Sequence, residues 1–438
     1  MAVSQQLLDQ TRKVAQEAEV FSVSTRVTPV IFEANRLKML ETRETHGVSL
    51  RIIKDGRVGL AATSNQKDVA KLVSTAVELA GFGSPTSLEL PNSATYPLVN
   101  VYDPLVEEVS IENMIEIGES LIDRIREGNA DLLCDGRVAK SVSTVSLKNS
   151  KGVDVSYTKS VFSIGMEAML VRGEDMLFVG ERKSSCNPIT DTTFIKESIQ
   201  RQLELSERVA DPITGSLPVI FTPYGVAGAL LGPLLAGFNG RNIVQGSSPL
   251  VGRLGEQIVD KQISIWDDPL LPYVPGSRTI DDEGVPSQRN ALIDCGVATK
   301  FFYDLQTACQ AGTVSTGSAS RSLGSLPSPS VGVLVIGEGG LSYDDMVKDI
   351  EEGLIVESFL GAGMGNVLAG DFDANVLLGY RVSKGKPVGR VKNTMISGNV
   401  YQALSNLLAV GSDPRWLGGS LKAPALYCRD ISVSAKSG

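Results

Sequence analysis

The chain has 438 residues, 42% of them hydrophobic, a net charge of −9 and a single histidine, His46. That length calls for two or three domains, since single cores stop growing at about 250–300 residues. The apolar fraction excludes a disordered chain, the acidic balance argues against non-specific nucleic-acid binding, and one imidazole excludes any site needing two from one copy, such as a His-Glu-x-x-His helix or a three-His zinc centre.

In chain order, residues 4–18 read as an amphipathic helix with Leu7, Leu8, Val14, Ala15 and Ala18 near one face. No apolar run opens the chain, so no signal peptide is expected and the protein is read as cytoplasmic. His46 precedes a strand-like run and reads as a turn or strand-edge residue. Residues 48–54 and 57–62 alternate in polarity around Asp55-Gly56, a strong two-residue hairpin signal. Ser64 or Asn65 then caps a helix to about Leu79. Residues 83–105, rich in Pro, Ser and Asn, form a long surface connection. Ser110 opens a helix striped by Ile111, Met114, Ile115, Leu121, Ile122 and Ile125, with Gly128 at its C-terminal cap.

Strands return over 131–183, broken at 149–152 and 172–175, and a helix covers 192–208. Asp211-Pro-Ile-Thr-Gly215 marks the domain boundary, giving an N-terminal domain of residues 1–210 and a C-terminal domain of 216–438. The second half opens with the strand Leu217–Thr222 and the apolar run Val226–Phe238, which is too short for a membrane span, contains Pro233, and reads as a buried helix or a strand-helix junction. Short strands and glycine loops follow, with helices near 342–352 and 400–408 and a turn-rich loop over 312–330. Helices do not alternate regularly with single strands, so both halves are α+β: helices with a meandering antiparallel sheet, then a β-rich domain. Asp-Gly-Arg-Val occurs at 55–58 and 135–138, each time at an expected strand turn, which hints at a duplication.

The five cysteines are odd in number and widely spaced, which excludes a CxxC knuckle or a disulfide framework and reads as buried, reduced thiols. Gly361-Ala-Gly-Met-Gly365 lacks the full dinucleotide spacing and precedes a strand, so it is not expected to cradle phosphate. The Ser-x-x-Lys pairs Ser64/Lys67 and Ser156/Lys159 are better explained as a cap and a strand. The acidic pairs Asp281-Asp282 and Glu351-Glu352 read as solvated charge. Residues alone therefore give a two-domain α+β protein with no recognisable catalytic set.

Four segments occur in a telling order: Gly47 to Ser64, Gly246 to Gln257, Gly317-Ser-Ala-Ser-Arg321, and Gly370-Asp-Phe372 with Ser397-Gly-Asn399. Together they resemble the TldD/PmbA family from about residue 20 to the C-terminus. That resemblance implies a metallopeptidase family whose TldD branch carries His-Glu-x-x-x-His on a helix just before the segment matching Gly246 to Gln257, with a further cysteine ligand near the C-terminus. Two imidazoles on one helix face bind the metal, and the glutamate activates its water. Here the matching hexapeptide is Gly232-Pro-Leu-Leu-Ala-Gly237, with Pro233 where the base would stand, and the stretch Asp413 to Gly419 has no cysteine.

These departures resemble the TldE/PmbA branch, the partner of a TldD-type chain. The resemblance implies no metal in this chain, zinc in the TldD-type partner, unfolded peptide substrates, and no membrane or direct nucleic-acid contact, with a homodimer as a further option. The substrate and partner surface is placed at Asn239, Arg241, Ser247, Ser248, Arg253 and Arg321, where arginines suit carboxylates. A stand-alone binding protein of the family's gyrase-modulator type, or an independent hydrolase, are the rival readings.

Overall fold

The computed structural model describes residues 2–361 and 365–435. The first half is one antiparallel sheet built from long strands: β1 (Glu17–Glu33), β2 (Arg36–Leu40), β3 (Arg43–Lys54), β4 (Arg57–Thr63), β5 (Leu133–Asn149), β6 (Asp154–Arg172) and β7 (Asp175–Ser185). They are ordered β4-β3-β1-β5-β6-β7, with β2 paired on the end of β1. Asp55 and Gly56 both have positive φ, 50° and 69°, the backbone that a two-residue turn between twisted strands requires. The expected interruptions at 149–152 and 172–175 are the β5–β6 and β6–β7 turns.

Helices cover one face of this sheet. Ile111–Arg126 starts where Ser110 Oγ accepts the Asn113 N–H at 3.1 Å, and it buries Met114, Leu121, Ile122 and Ile125. Thr193–Leu205 buries Ile195 and Ile199 on the same layer. The first helix spans only Ala2–Thr11, because Glu17 already begins β1 and the apolar residues from Ala18 onward alternate as a strand. The helix after β4 is reached through a 3-10 turn, Gln66–Lys71, before Leu72–Ala80. The second Asp-Gly-Arg-Val lies within β5, not at a turn, since Gly136 and Arg137 pair with β1 and β6.

The second half opens with β8 (Gly215–Phe221), which lies between the parallel strand Glu352–Leu360 and the antiparallel strand Leu426–Ala435 of a seven-stranded sheet. A six-stranded sheet of short strands, including Ile265–Asp267, sits beside it in the chain's topology. This is the expected two-domain α+β architecture, but the two halves share a core. Val30, Phe32, Met114 and Ile195 from the first half cluster with Ile220, Met346, Ile355 and Tyr380 from the second.

Buried charge also joins the halves. Arg51 on β3 is 3% exposed; its guanidinium donates to Glu283 Oε1 at 2.5 Å and to Glu19 Oε2 at 3.1 Å. Arg321 Nη2 lies 2.7 Å from the other Glu19 oxygen, with its guanidinium 4.3 Å over the Phe21 ring. Burial alone would raise Glu19, but Arg321 and Arg51 hold its carboxyl below the usual range. Asp281 and Asp282, expected to be solvated, belong to this region. Asp281 is 1% exposed and accepts the Glu283, Val285 and Ala319 N–H groups, while Asp282 accepts the Arg321 N–H. The acidic pair at 351–352 splits, Glu351 exposed and Glu352 accepting from Arg381 and Ser383.

The cysteines divide as well: Cys134, Cys186 and Cys428 are buried, whereas Cys295 and Cys309 are exposed. Replacing Arg51 by Met leaves Glu19 and Glu283 facing each other without the cation. Loss of one partner of a buried pair costs about 3–5 kcal/mol. Urea unfolding of Arg51→Met should show a loss of this size, and a loss below about 1 kcal/mol would show that the cluster contributes no more than a surface pair.

Candidate functional site

The segment Gly232–Gly237 lies in the helix Leu231–Phe238, which buries Leu231, Pro233, Leu234, Gly237 and Phe238. The helical path starts at Pro223, with the Thr222 hydroxyl accepting the Gly225 N–H, and widens into a π turn over Val226–Leu230. That widening suits Pro233, whose ring crowds the carbonyl four residues earlier and which donates no hydrogen bond.

The two glycines of the segment have different surroundings. A Cβ on Gly232 would meet open space. A Cβ on Gly237 would lie 1.9 Å from the Tyr401 hydroxyl and 3.3 Å from Leu250 Cδ1. Tyr401 thus occupies the volume that any side chain at 237 would need. Its Oη is buried without a hydrogen-bond partner among the described residues, and burial, eased by Arg253, pushes its pKa up to about 12.

Other quoted segments hold Tyr401 in place. Asn399 caps the helix Val400–Ser405 by accepting the Tyr401 N–H, and its amide donates to Asp371 Oδ1 at 2.9 Å and to the Ala369 carbonyl at 3.0 Å. Gly370, with φ 93°, lies against the Tyr401 ring, where a Cβ would come within 2.6 Å of Cε2. The 246–257 stretch supports the helix Leu231–Phe238 as well. Ser248, itself buried, donates to the Gly237 carbonyl at 2.6 Å, and Leu250 packs into the core below. Sequence reasoning missed Tyr401, because only the folded chain brings positions 237 and 401 together.

The predicted surface residues separate into three environments. Asn239 caps the helix Gly240–Val244 by accepting the Arg241 N–H, and it donates to the Pro329 carbonyl at 3.3 Å, joining the 239–256 and 312–330 segments. Arg241 and Ser247 are exposed, and Arg253 pairs with exposed Glu256 at 2.9 Å. Arg321 is not on this surface: its side chain is fully enclosed in the Glu19 pair, so it holds the halves together rather than offering a free guanidinium. Ser156 and Lys159 lie three apart on β6, on opposite faces of the strand, so they do not form a dyad. Ala362–Met364 of the glycine run, and the Lys67 side chain, lie outside the described residues.

The 312–330 loop is ordered by buried polar groups. Ser318, 0% exposed, donates to Asp267 Oδ2 at 3.4 Å, while Asp267 Oδ1 accepts the Gly332 and Val333 N–H groups. Ala319–Ser320 pairs with Ser328–Pro329 as a short ribbon. A turn-rich sequence gave no view of these partners.

Two family descriptions match the chain: the PmbA/TldA metallopeptidase C-terminal domain over residues 214–435, and PmbA/TldA metallopeptidase domain 1 over residues 18–80. The chain belongs to the PmbA/TldD family of metallopeptidases. Its fold matches that of TldE from Thermococcus kodakarensis with a TM-score of 0.90 at 25% identity, covering 99% of this chain and 100% of that one. An uncharacterised protein of Methanocaldococcus jannaschii is 28% identical over 392 residues, 88% of this chain and 89% of its own. A Haemophilus influenzae protein named as a metalloprotease TldD homologue is 27% identical over 395 residues, 83% of this chain and 79% of its own.

The residues present do not fit the metal these names imply. His46, the one imidazole, is exposed on β3, where it pairs across from Ser24. Among the described residues no group of three or more His, Cys, Asp or Glu could hold an ion. Cys428 lies in the strand Leu426–Ala435, fully buried, and burial pushes its thiol up to about 12. A metal-binding thiolate requires the opposite shift.

Two predictions follow from this geometry. Gly237→Ala should cost about 1–3 kcal/mol, the usual penalty of overpacking, and Tyr401→Phe should recover much of it by removing the clashing oxygen. A double-mutant cycle by thermal unfolding measures the coupling, and strictly additive effects would place Tyr401 elsewhere. Burial raises Asp267 to about 6 from 3.8. The folded state then holds this proton more tightly, so its contribution is full below pH 4 and is lost as pH rises toward 6. Asp267→Asn keeps the Oδ1 acceptor and should flatten the fall in stability across that window by up to about 3 kcal/mol, read from urea melts at each pH.

Proposed function

We propose that this chain is the metal-free subunit of a two-chain TldD/TldE-type peptidase acting on unfolded or peptide-like substrates. The observation that carries this reading is the helix Leu231–Phe238, where glycine, proline and glycine stand at the motif positions and the Tyr401 ring fills the space beside Gly237. A catalytic helix needs imidazoles and a carboxylate at such positions. The helix here is instead packed for support. The full-length match to the Thermococcus TldE fold and the TldD-named relatives favour the same reading.

In this role zinc belongs to the TldD-type partner, and this subunit contributes a wall of the substrate chamber. The exposed groups on the 239–256 segment, Arg241 and Ser247 first among them, together with Arg253, face partner or peptide. An extended peptide adds to such a surface through main-chain hydrogen bonds, which makes binding tolerant of sequence. No helix among the described residues is long and apolar enough to cross a membrane.

The test is co-purification with a TldD-type chain from the same genome, then a zinc-dependent peptidase assay on an unfolded peptide. Each chain is assayed alone and in mixture. Cleavage is expected only where the TldD-type chain is present with this one, and mutating the partner's His-Glu-x-x-x-His should abolish it. Failure to form a complex, with no gain in activity on mixing, would move the weight to a stand-alone binding protein. Chelator-insensitive turnover by this chain alone would reveal an independent hydrolase.

A further inference from the structure

We infer that a polar cavity between the helix Thr193–Leu205 and the 411–415 loop binds a free α-amino acid with an apolar side chain. The cavity has a volume of about 240 Å³, and none of its lining comes from residues 231–256. This inference does not rest on the chain's having a catalytic partner.

The charges in the cavity are opposite and held apart. The Arg201 guanidinium, half-buried, stacks 4.6 Å from the Tyr343 ring centroid, and that of Arg415, exposed at the rim, lies 5.3 Å from Phe194. Stacking orients both planar cations, yet neither has a carboxylate within ion-pair distance among the described residues. Glu357 also lines the cavity, with the Thr222 hydroxyl donating to its Oε2 at 3.2 Å. Burial raises the Glu357 pKa, and Arg201 opposes the rise without closing on the carboxylate. The second inner carboxylate, Glu181, is already satisfied by the Tyr224 hydroxyl, Ser198 Oγ at 2.9 Å and the Arg182 N–H at 2.8 Å. Asp344 and Asp413 stand exposed at the mouth.

Separated, unneutralised charges around a small cavity call for a molecule carrying both complements. A carboxylate accepts two parallel bonds from a guanidinium, and an ammonium group satisfies Glu357. A volume of about 240 Å³ admits one small unit carrying both groups rather than a stretch of extended peptide. Tyr343 Oη, buried and without a well-formed hydrogen bond, supplies a further donor.

The side chain of that ligand has somewhere to go. The cavity shares Glu181, Gln202, Tyr224 and Glu357 with a wider cleft of about 790 Å³ between the two halves. Phe32, Met166, Phe178 and Leu378 line the cleft. Gly136, Gly165 and Gly180 on β5, β6 and β7 also border it.

The experiment is calorimetric titration of the full chain with L-leucine, L-methionine and L-phenylalanine, and with the N-acetyl and carboxamide forms of each. Saturable binding of a free amino acid is expected, weakened at least about tenfold by blocking either end. Arg201→Met and Glu357→Gln should each lose that binding. Should either variant fail to fold, the blocked derivatives on the unmodified chain decide alone. Absence of saturable binding by all three free amino acids at millimolar concentration would overturn the proposal. So would equal or tighter binding of the N-acetyl forms, which would make this a simple carboxylate site.

Discussion

The assembly of the two halves depends on how a buried positive charge is compensated. Arg51 sits on β3, next to the edge strand of the N-terminal sheet, and is withdrawn almost completely from water. The desolvation cost of such an ion is several kcal/mol, offset only by well-placed partners. One of those partners, Glu19, is on the adjacent strand β1, and the other, Glu283, comes from the second half. Arg321 then balances the remaining oxygen of Glu19. Glu283 also accepts the Leu305 N–H, which fixes the start of the helix Leu305–Ala311. Sheet, loop and helix are therefore positioned by one another, and the 312–330 segment is held although its composition reads as a free loop.

The residues that carry local instructions were the legible ones. Asp55-Gly56, Ser110 and the long alternations of β5 and β6 each specify conformation within a few positions, so the hairpin, the cap and the antiparallel meander could be read directly. Asp281, Asp282 and Arg321 could not. Their chemistry is that of surface groups, and only distant partners, Glu19 and backbone N–H groups of the same loop, reveal them as interior. The 226–238 run was legible as a buried helix or a strand-helix junction, but its π turn over Val226–Leu230 was not. At the candidate site, the missing imidazoles were visible at once, whereas the tyrosine that fills the space beside Gly237 comes from more than 160 positions further along the chain.

Tyr401 also shows how a helix carrying two glycines is kept closely packed. Gly237 has no side chain of its own, and on the buried side of the helix that alone would leave a void. Voids forfeit dispersion contacts and weaken the core around them. The Tyr401 ring, set by Asn399 and Gly370, restores close packing at one of the two positions. The other position, Gly232, stays open to solvent. The helix therefore keeps its place in the fold through apolar packing.

The shared apolar core bears on how the molecule is divided. Two domains are recognisable by topology, yet Phe32 and Ile195 from one and Ile355 and Tyr380 from the other belong to a single cluster. Arg390 adds a further tie, gripping both Asp175 oxygens from the opposite half. Pulling the halves apart would expose that interior to water on both sides. In calorimetric terms such a chain should melt as one cooperative unit with a single heat-absorption peak, its domains describing its topology rather than how it unfolds.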